Sequence, residues 1–314
     1  MRDFRFSCNV HGIRSRAEFV RYCQDAERFG YSTIFTADHL GSPAPFPPLV
    51  LAVEVTERLR VGTMVLNVPF WNPHLLAREV ATADMLTDGR LELGLGAGHM
   101  KWEFDAADIP WVPLRDRVGA VAATVDELER IFSRGGYPER RDLEEMTGRS
   151  PLTPVQRTGL NRSGPPLIIG GTGDRILALA ARRADTVALG GLIQVPGRPP
   201  GTFMLQSAVQ ADERVAYIRA QAGDRAGDLE LHILVQMVVV TPDRRAAAEK
   251  IAVEDDLNLT TDEVLETPFL LLGTVPEIAA QLEERRDRFG FTYLTVHDPF
   301  MAALAPVIER LGAS

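Results

Sequence analysis

The chain has 314 residues, a length that suits one α/β barrel with insertions, and its 45% hydrophobic and 25% charged residues describe a globular protein with a sizeable core. A net charge of −9 supplies no basic footprint for a phosphate backbone and argues against a nucleic-acid partner. The two cysteines, Cys8 and Cys23, form neither a disulfide framework nor a C-x-x-C pair, and no window approaches 18 uninterrupted apolar residues, so no membrane partner and a cytoplasmic location are expected.

Short apolar runs alternate with helical patterns along the chain. A strand over 4–9 precedes a helix over 16–29, whose Phe19, Val20, Cys23 and Ala26 recur at helical spacing and which stops at Gly30. A strand over 33–37 and a helix over 48–57 follow. A strand over 60–66 comes next, then a helix over 74–86 with Pro73 at its start. Asp88-Gly89 turns into a strand over 91–95, and a long loop leads to a strong helix over 115–132. Residues 133–164 are rich in Gly, Pro and charge and read as an insertion. A strand over 167–170, a helix over 175–184 and a strand over 186–189 come next. A second insertion at about 190–206 precedes a helix over 207–222. The chain finishes with a strand over 231–240, helical stretches over 242–254 and 275–289, a strand over 293–296 and a helix over 301–311.

Eight strands alternating with helices imply a parallel sheet. Eight units without a linker favour closure into one (β/α)8 TIM barrel over residues 1–314, with an open doubly wound sheet as the competing arrangement. Both insertions are expected in loops of the C-terminal face, covering the mouth.

Active sites of such barrels lie at the C-terminal ends of the strands. Asp38-His39 closes strand two, where His39 is either an acid/base near neutral pH or a histidine hydrogen-bonded in a loop. Asn67 interrupts the apolar run of strand three, as a ligand contact or a turn cap. Strand four ends Gly94-Leu95-Gly96-Ala97-Gly98-His99. His99 removes the third glycine of a dinucleotide fingerprint. What remains is a stretch stripped of side chains, which suits a flat ring, a phosphate or tight packing alike. Lys101, Trp102 and Glu103 follow, placing polar groups beside an aromatic ring. Gly170-Gly171-Thr172-Gly173-Asp174 enters a helix, as a phosphate cradle or a tight turn. The six histidines lack H-x-x-x-H and H-E-x-x-H spacing, so no metal is expected. His297-Asp298 either reaches the mouth or turns the chain before Pro299. No G-x-S-x-G motif supports a hydrolase.

The stretch Gly62-Thr63-Met64-Val65-Leu66-Asn67-Val68-Pro69, with Asn72-Pro73, residues 77–84 and residues 88–98, combines with the Gly170–Gly173 turn. Together they resemble the bacterial luciferase-like monooxygenase superfamily, and within it the coenzyme F420-dependent oxidoreductases. The resemblance covers most of the chain. It implies a hydride moved between the ring of F420, a deazaflavin, and a small organic substrate. An FMN-dependent monooxygenase on the same barrel is the alternative. The resemblance sets Asp38 and His39 beside the ring, with His39 as acid/base. It places Met64 and Val65 at a strand-three bulge that commonly holds a non-prolyl cis peptide. Asn67, Ala97, Gly98 and His99 fall at cofactor contacts, and Gly170, Gly171, Thr172 and Gly173 at the phosphates. Sugar-phosphate dehydrogenases of the superfamily carry a glutamate where this chain has His99, and Glu103 is the nearest carboxylate. Their substrate-phosphate lysine has no counterpart in 195–204, so glucose 6-phosphate is not the expected substrate. The catalytic expectation rests on His39, His99 and Glu103. Superfamily members are often dimers, and a homodimer is expected here.

Overall fold

The computed structural model describes residues 2–195, 197–254 and 258–312. The barrel runs β1 (Arg5–Val10), α1 (Arg16–Arg28), β2 (Thr33–Thr36), α2 (Phe46–Glu54), β3 (Arg60–Thr63), α3 (Pro73–Leu86), β4 (Leu91–Gly96) and α4 (Leu114–Ser133). It continues β5 (Leu167–Gly170), α5 (Asp174–Arg183), β6 (Thr186–Leu189), α6 (Ala208–Ala222), β7 (Glu230–Val235), α7 (Val275–Phe289), β8 (Phe291–His297) and α8 (Met301–Gly312). Every neighbouring pair is parallel, in the order β3-β2-β1-β8-β7-β6-β5-β4. Pairing of Val61 with Leu91 and Gly62 with Glu92 joins the two ends, so the sheet is a closed barrel.

Local chemistry sets the helix ends. Ser15 Oγ accepts from Glu18 N ahead of α1, and Asn72 caps α3 just before Pro73. Ser207 with Gln210 and Thr274 with Glu277 form capping boxes for α6 and α7. Gly290 takes φ +86° past the end of α7, a conformation suited to glycine. Apolar faces such as Ile176, Leu177, Leu179 and Ala180 of α5 then pack on the barrel wall. Burying each large aliphatic side chain of this kind contributes about 1.5–3 kcal/mol.

The barrel interior is layered. At the N-terminal end, buried Glu92 accepts from Arg60 Nε (2.7 Å), Tyr293 OH (3.1 Å) and Arg5. Arg5 also donates to Glu230 (2.8 Å) and lies 3.9 Å above the Tyr293 ring. One layer up, Thr295 Oγ1 meets both Ser7 Oγ and His232 Nε2 at 2.6 Å.

Several expected boundaries change. Strand three ends at Thr63, because a cis Met64–Val65 peptide bond interrupts it before Leu66–Asn67 rejoins β4. The expected 231–240 strand divides at Gln236. Met237–Val240 leaves the barrel to pair with Leu270–Gly273, a strand the sequence reading did not contain. The loop after β4 holds a short helix, Lys101–Ala106, and the second insertion holds a hairpin of Leu192–Gln194 with Phe203–Leu205. That hairpin stands at the mouth as expected, with Phe203 against His99.

The 133–164 segment does not cover the mouth. Val155 N and Gln156 N donate to Asp84, and Gln156 bonds the Leu91 carbonyl and Arg60, all at the N-terminal end of the barrel. Connectivity explains this. A helix-to-strand connection must deliver the chain to the start of the next strand.

Candidate active site

The C-terminal rim gathers most of the expected residues. Its floor is cut to fit one side chain. A Cβ on Gly96 would stand 2.5 Å from Val65 Cγ2, one on Gly170 3.1 Å from Val65 Cγ1, and one on Gly94 1.9 Å from the Thr63 carbonyl oxygen. The glycines thus let Val65 and the strand-three backbone enter the barrel. Met64 packs toward the Phe35, Ile168, Ala188 and Tyr293 cluster.

Asp38 and His39 leave β2 with different tasks. Asp38 Oδ2 accepts from Asn67 N (3.0 Å) and Trp71 Nε1 (2.8 Å), tying the end of β2 to the end of β3. Burial raises its pKa, against the lowering effect of these two donors and of His39. His39 Nδ1 lies 2.9 Å from Glu103 Oε1, which also accepts from Leu40 N at 3.2 Å. Glu103, on the Lys101–Ala106 helix, is only 1% exposed. A carboxylate accepts, so His39 Nδ1 is the donor of this bond and Nε2 is the ring nitrogen left outside the pair.

His99 stands edge-on to His39, with centroids 5.3 Å apart, and 5.5 Å from the Phe203 ring. Desolvation by the surrounding walls, then His39 and Arg117, lowers its pKa, although the residue still reaches solvent. Gly98 takes φ +72°, and a Cβ there would stand 2.4 Å from Asn67 Oδ1 and 2.8 Å from Phe104. Arg117 fixes this turn: Nη1 donates to the Gly98 carbonyl at 2.8 Å, and the guanidinium lies 3.5 Å from the Trp111 ring centre. Sequence reasoning missed Arg117. The available signal was its place on the buried face of α4, four residues before Val121 and eight before Val125.

Asn67 is 5% exposed, yet neither side-chain oxygen nor nitrogen has a hydrogen-bond partner. A buried polar group left this way costs about 1–3 kcal/mol. After β5, Gly171 N donates to the Ala188 carbonyl (3.1 Å) and is therefore engaged within the fold. Its role is steric, since a Cβ would stand 2.4 Å from Ile176. Thr172 and Gly173 lead into the first turn of α5, whose N–H groups have no intrahelical acceptor. Arg214 pairs with Asp174 at this end. Among the described residues, no group of three or more His, Cys, Asp or Glu side chains is placed to hold a metal ion, and no helix is long and apolar enough to cross a membrane.

Comparison with known proteins agrees with this architecture. The F420-dependent glucose-6-phosphate dehydrogenase of Kribbella flavida is 24% identical over 327 aligned positions, covering 94% of this chain and 95% of that protein. The coenzyme F420-dependent tetrahydromethanopterin reductase of Methanopyrus kandleri superposes with a TM-score of 0.70 at 16% identity, covering 98% of both chains. The oxygenating constituent of 3,6-diketocamphane monooxygenase from Pseudomonas putida, in complex with FMN, gives 0.70 at 15% identity, covering 99% of this chain and 96% of that one. These two superpositions establish the shared barrel. The profile of the luciferase-like monooxygenase family matches residues 3–292, and the chain belongs to that family.

Proposed function

We propose that this protein is an F420-dependent oxidoreductase acting on a small organic substrate. One observation carries the reading: the His39–Glu103 pair stands at the rim beside a glycine floor and a buried, unpartnered Asn67. The relationship to an F420-dependent dehydrogenase over nearly the whole chain supports it.

The residues fit a flat cofactor with a phosphate tail. Asn67 offers an unpaired amide to a ring edge. Ala97, Gly98 and His99 line one side, and Met64 and Val65 back the ring. Gly170 and Gly171 admit Val65 and Ile176, so Thr172, Gly173 and the start of α5 would supply the N–H groups for the phosphate of its tail. Bound there, F420 would supply a hydride donor or acceptor for a substrate carbon. His39 takes or returns the accompanying proton at Nε2, and Glu103 holds the ring in that orientation. His99, exposed beside His39 and Phe203, would add a hydrogen-bonding wall. An FMN-dependent monooxygenase is the second reading, favoured by the family to which the chain belongs. Leu75, Met85 and Leu86, exposed on α3, support the expected homodimer, which sedimentation at micromolar concentration tests.

Parallel titrations with F420 and FMN separate the two cofactor readings. Submicromolar FMN affinity with no F420 binding overturns the first. His39→Ala is expected to keep F420 affinity and lower turnover by about 10²–10⁴. Unchanged turnover removes its assigned role.

A further inference from the structure

The rim has a second wall, formed by four consecutive strand ends that the proposed redox site does not use. His11 lies just past β1, His297 ends β8, Gln236 lies just past β7 and Gly190 just past β6. His11 Nε2 is 2.7 Å from His297 Nδ1, His297 Nε2 is 3.3 Å from Gln236 Oε1, and Gln236 Nε2 donates to the Gly190 carbonyl at 2.6 Å. Gln236 N donates to the Phe269 carbonyl at 2.8 Å, which anchors the start of the array.

One proton arrangement satisfies every contact. The Gly190 carbonyl needs a donor, so the Gln236 amide nitrogen faces it and the amide oxygen accepts from His297 Nε2. His297 is buried enough to stay neutral at pH 7, with its pKa lowered to about 4, so its Nδ1 accepts from His11 Nε2. His11 is exposed and is left with Nδ1 as an open acceptor. Alternation along β1 carries Arg5, Ser7 and Asn9 up the same barrel-facing side as His11. Asn9 is paired in register with His297, is 2% exposed, and has a side-chain oxygen without a partner. The second wall therefore holds its own unsatisfied group.

We infer that His11 is a specificity-determining residue that accepts a hydrogen bond from a hydroxyl of the substrate, with His297 and Gln236 as positioning residues. This rests on the proposed oxidoreductase reading. It deepens that reading by naming the substrate class, an organic molecule with two oxygen functions. The reacting alcohol or carbonyl lies at His39, and a second hydroxyl lies at His11.

The test uses the full-length protein with F420 added, ¹⁵N-labelled histidine, and two probes, 1,2-propanediol and 1-propanol. The free protein is expected to show His11 protonated at Nε2. The diol is expected to shift the His11 Nδ1 resonance and to bind at least tenfold more tightly than the mono-alcohol. His11→Phe, which keeps a ring without nitrogen, is expected to reduce that preference to under twofold while F420 affinity stays within twofold. Gln236→Leu is expected to reduce it about threefold. Equal binding of the two probes by the unmodified protein, or a preference that survives His11→Phe, overturns the inference. F420 affinity measured in the same samples reports on the redox reading separately. Its loss with the diol preference intact overturns that reading alone.

Discussion

The two ends of the barrel use the same kinds of residue in opposite ways. At the N-terminal end Glu92 meets Arg5, Arg60 and Tyr293, and Arg5 meets Glu230, so each charge has a counter-charge. At the C-terminal end Asn67 keeps both amide atoms unpaired and Asn9 its oxygen, while His11 and His39 each leave one ring nitrogen open. The difference teaches where to look for function. Polar residues in a barrel are common, and the unsatisfied amides of Asn67 and Asn9 both stand at the working end.

The largest expected effect breaks the satisfied end. Glu92→Ala leaves two guanidinium groups without their shared acceptor. It should cost about 3 kcal/mol, the low end for a broken buried pair because Arg5 and Arg60 keep partial access to water. Urea unfolding reads this, and F420 affinity of the folded fraction should not change. A loss below about 1 kcal/mol means that the N-terminal network is not a structural plug.

The next effect locates the boundary between the two ends. His232, one layer above the plug, is buried with its pKa lowered to about 3 by desolvation and then by Arg5. The unfolded chain titrates near 6.5. Its contribution is therefore constant above about pH 6.5 and falls as pH drops toward 3, because only the unfolded state takes up the proton. Between pH 8 and 5 the loss should be about 2 kcal/mol from this residue. His232→Gln should flatten the slope by about one proton, and an unchanged slope would show that the middle layer is already wet.

Much of this layout was legible in the sequence, for definite reasons. The eight strands were readable because each apolar run is bounded by Gly, Pro or a helical period. The break in β3 was not readable from the apolar pattern, since the residues on both sides of the cis bond are apolar; only the family resemblance placed a cis peptide at Met64 and Val65. The departure at Gln236 was hidden by the apolar run Met237–Val240 beyond it. The 133–164 segment was misplaced because its composition was weighed and its helix-to-strand connectivity was not. At the site, His39 and Glu103 stood out as residue types at strand ends, but their pairing across β2 and β4 needed the closed barrel. Arg117 escaped notice because a charge on a helix suggests a solvated face, whereas this one is buried over Trp111. Gly171 was read as a phosphate donor, and its N–H proved to be engaged by Ala188.

The smallest expected change in stability is the most informative, because it has the opposite sign from the first. Asn67→Leu replaces an unpartnered buried amide with an apolar side chain of similar size, so the fold should gain about 1 kcal/mol. The most direct measurement is therefore an equilibrium titration of the unmodified protein and of Asn67→Leu with F420, read beside their unfolding curves. The account predicts micromolar or tighter binding by the unmodified protein and at least tenfold weaker binding by a variant that is no less stable. Equal affinities, or no F420 binding by the unmodified protein, would contradict it.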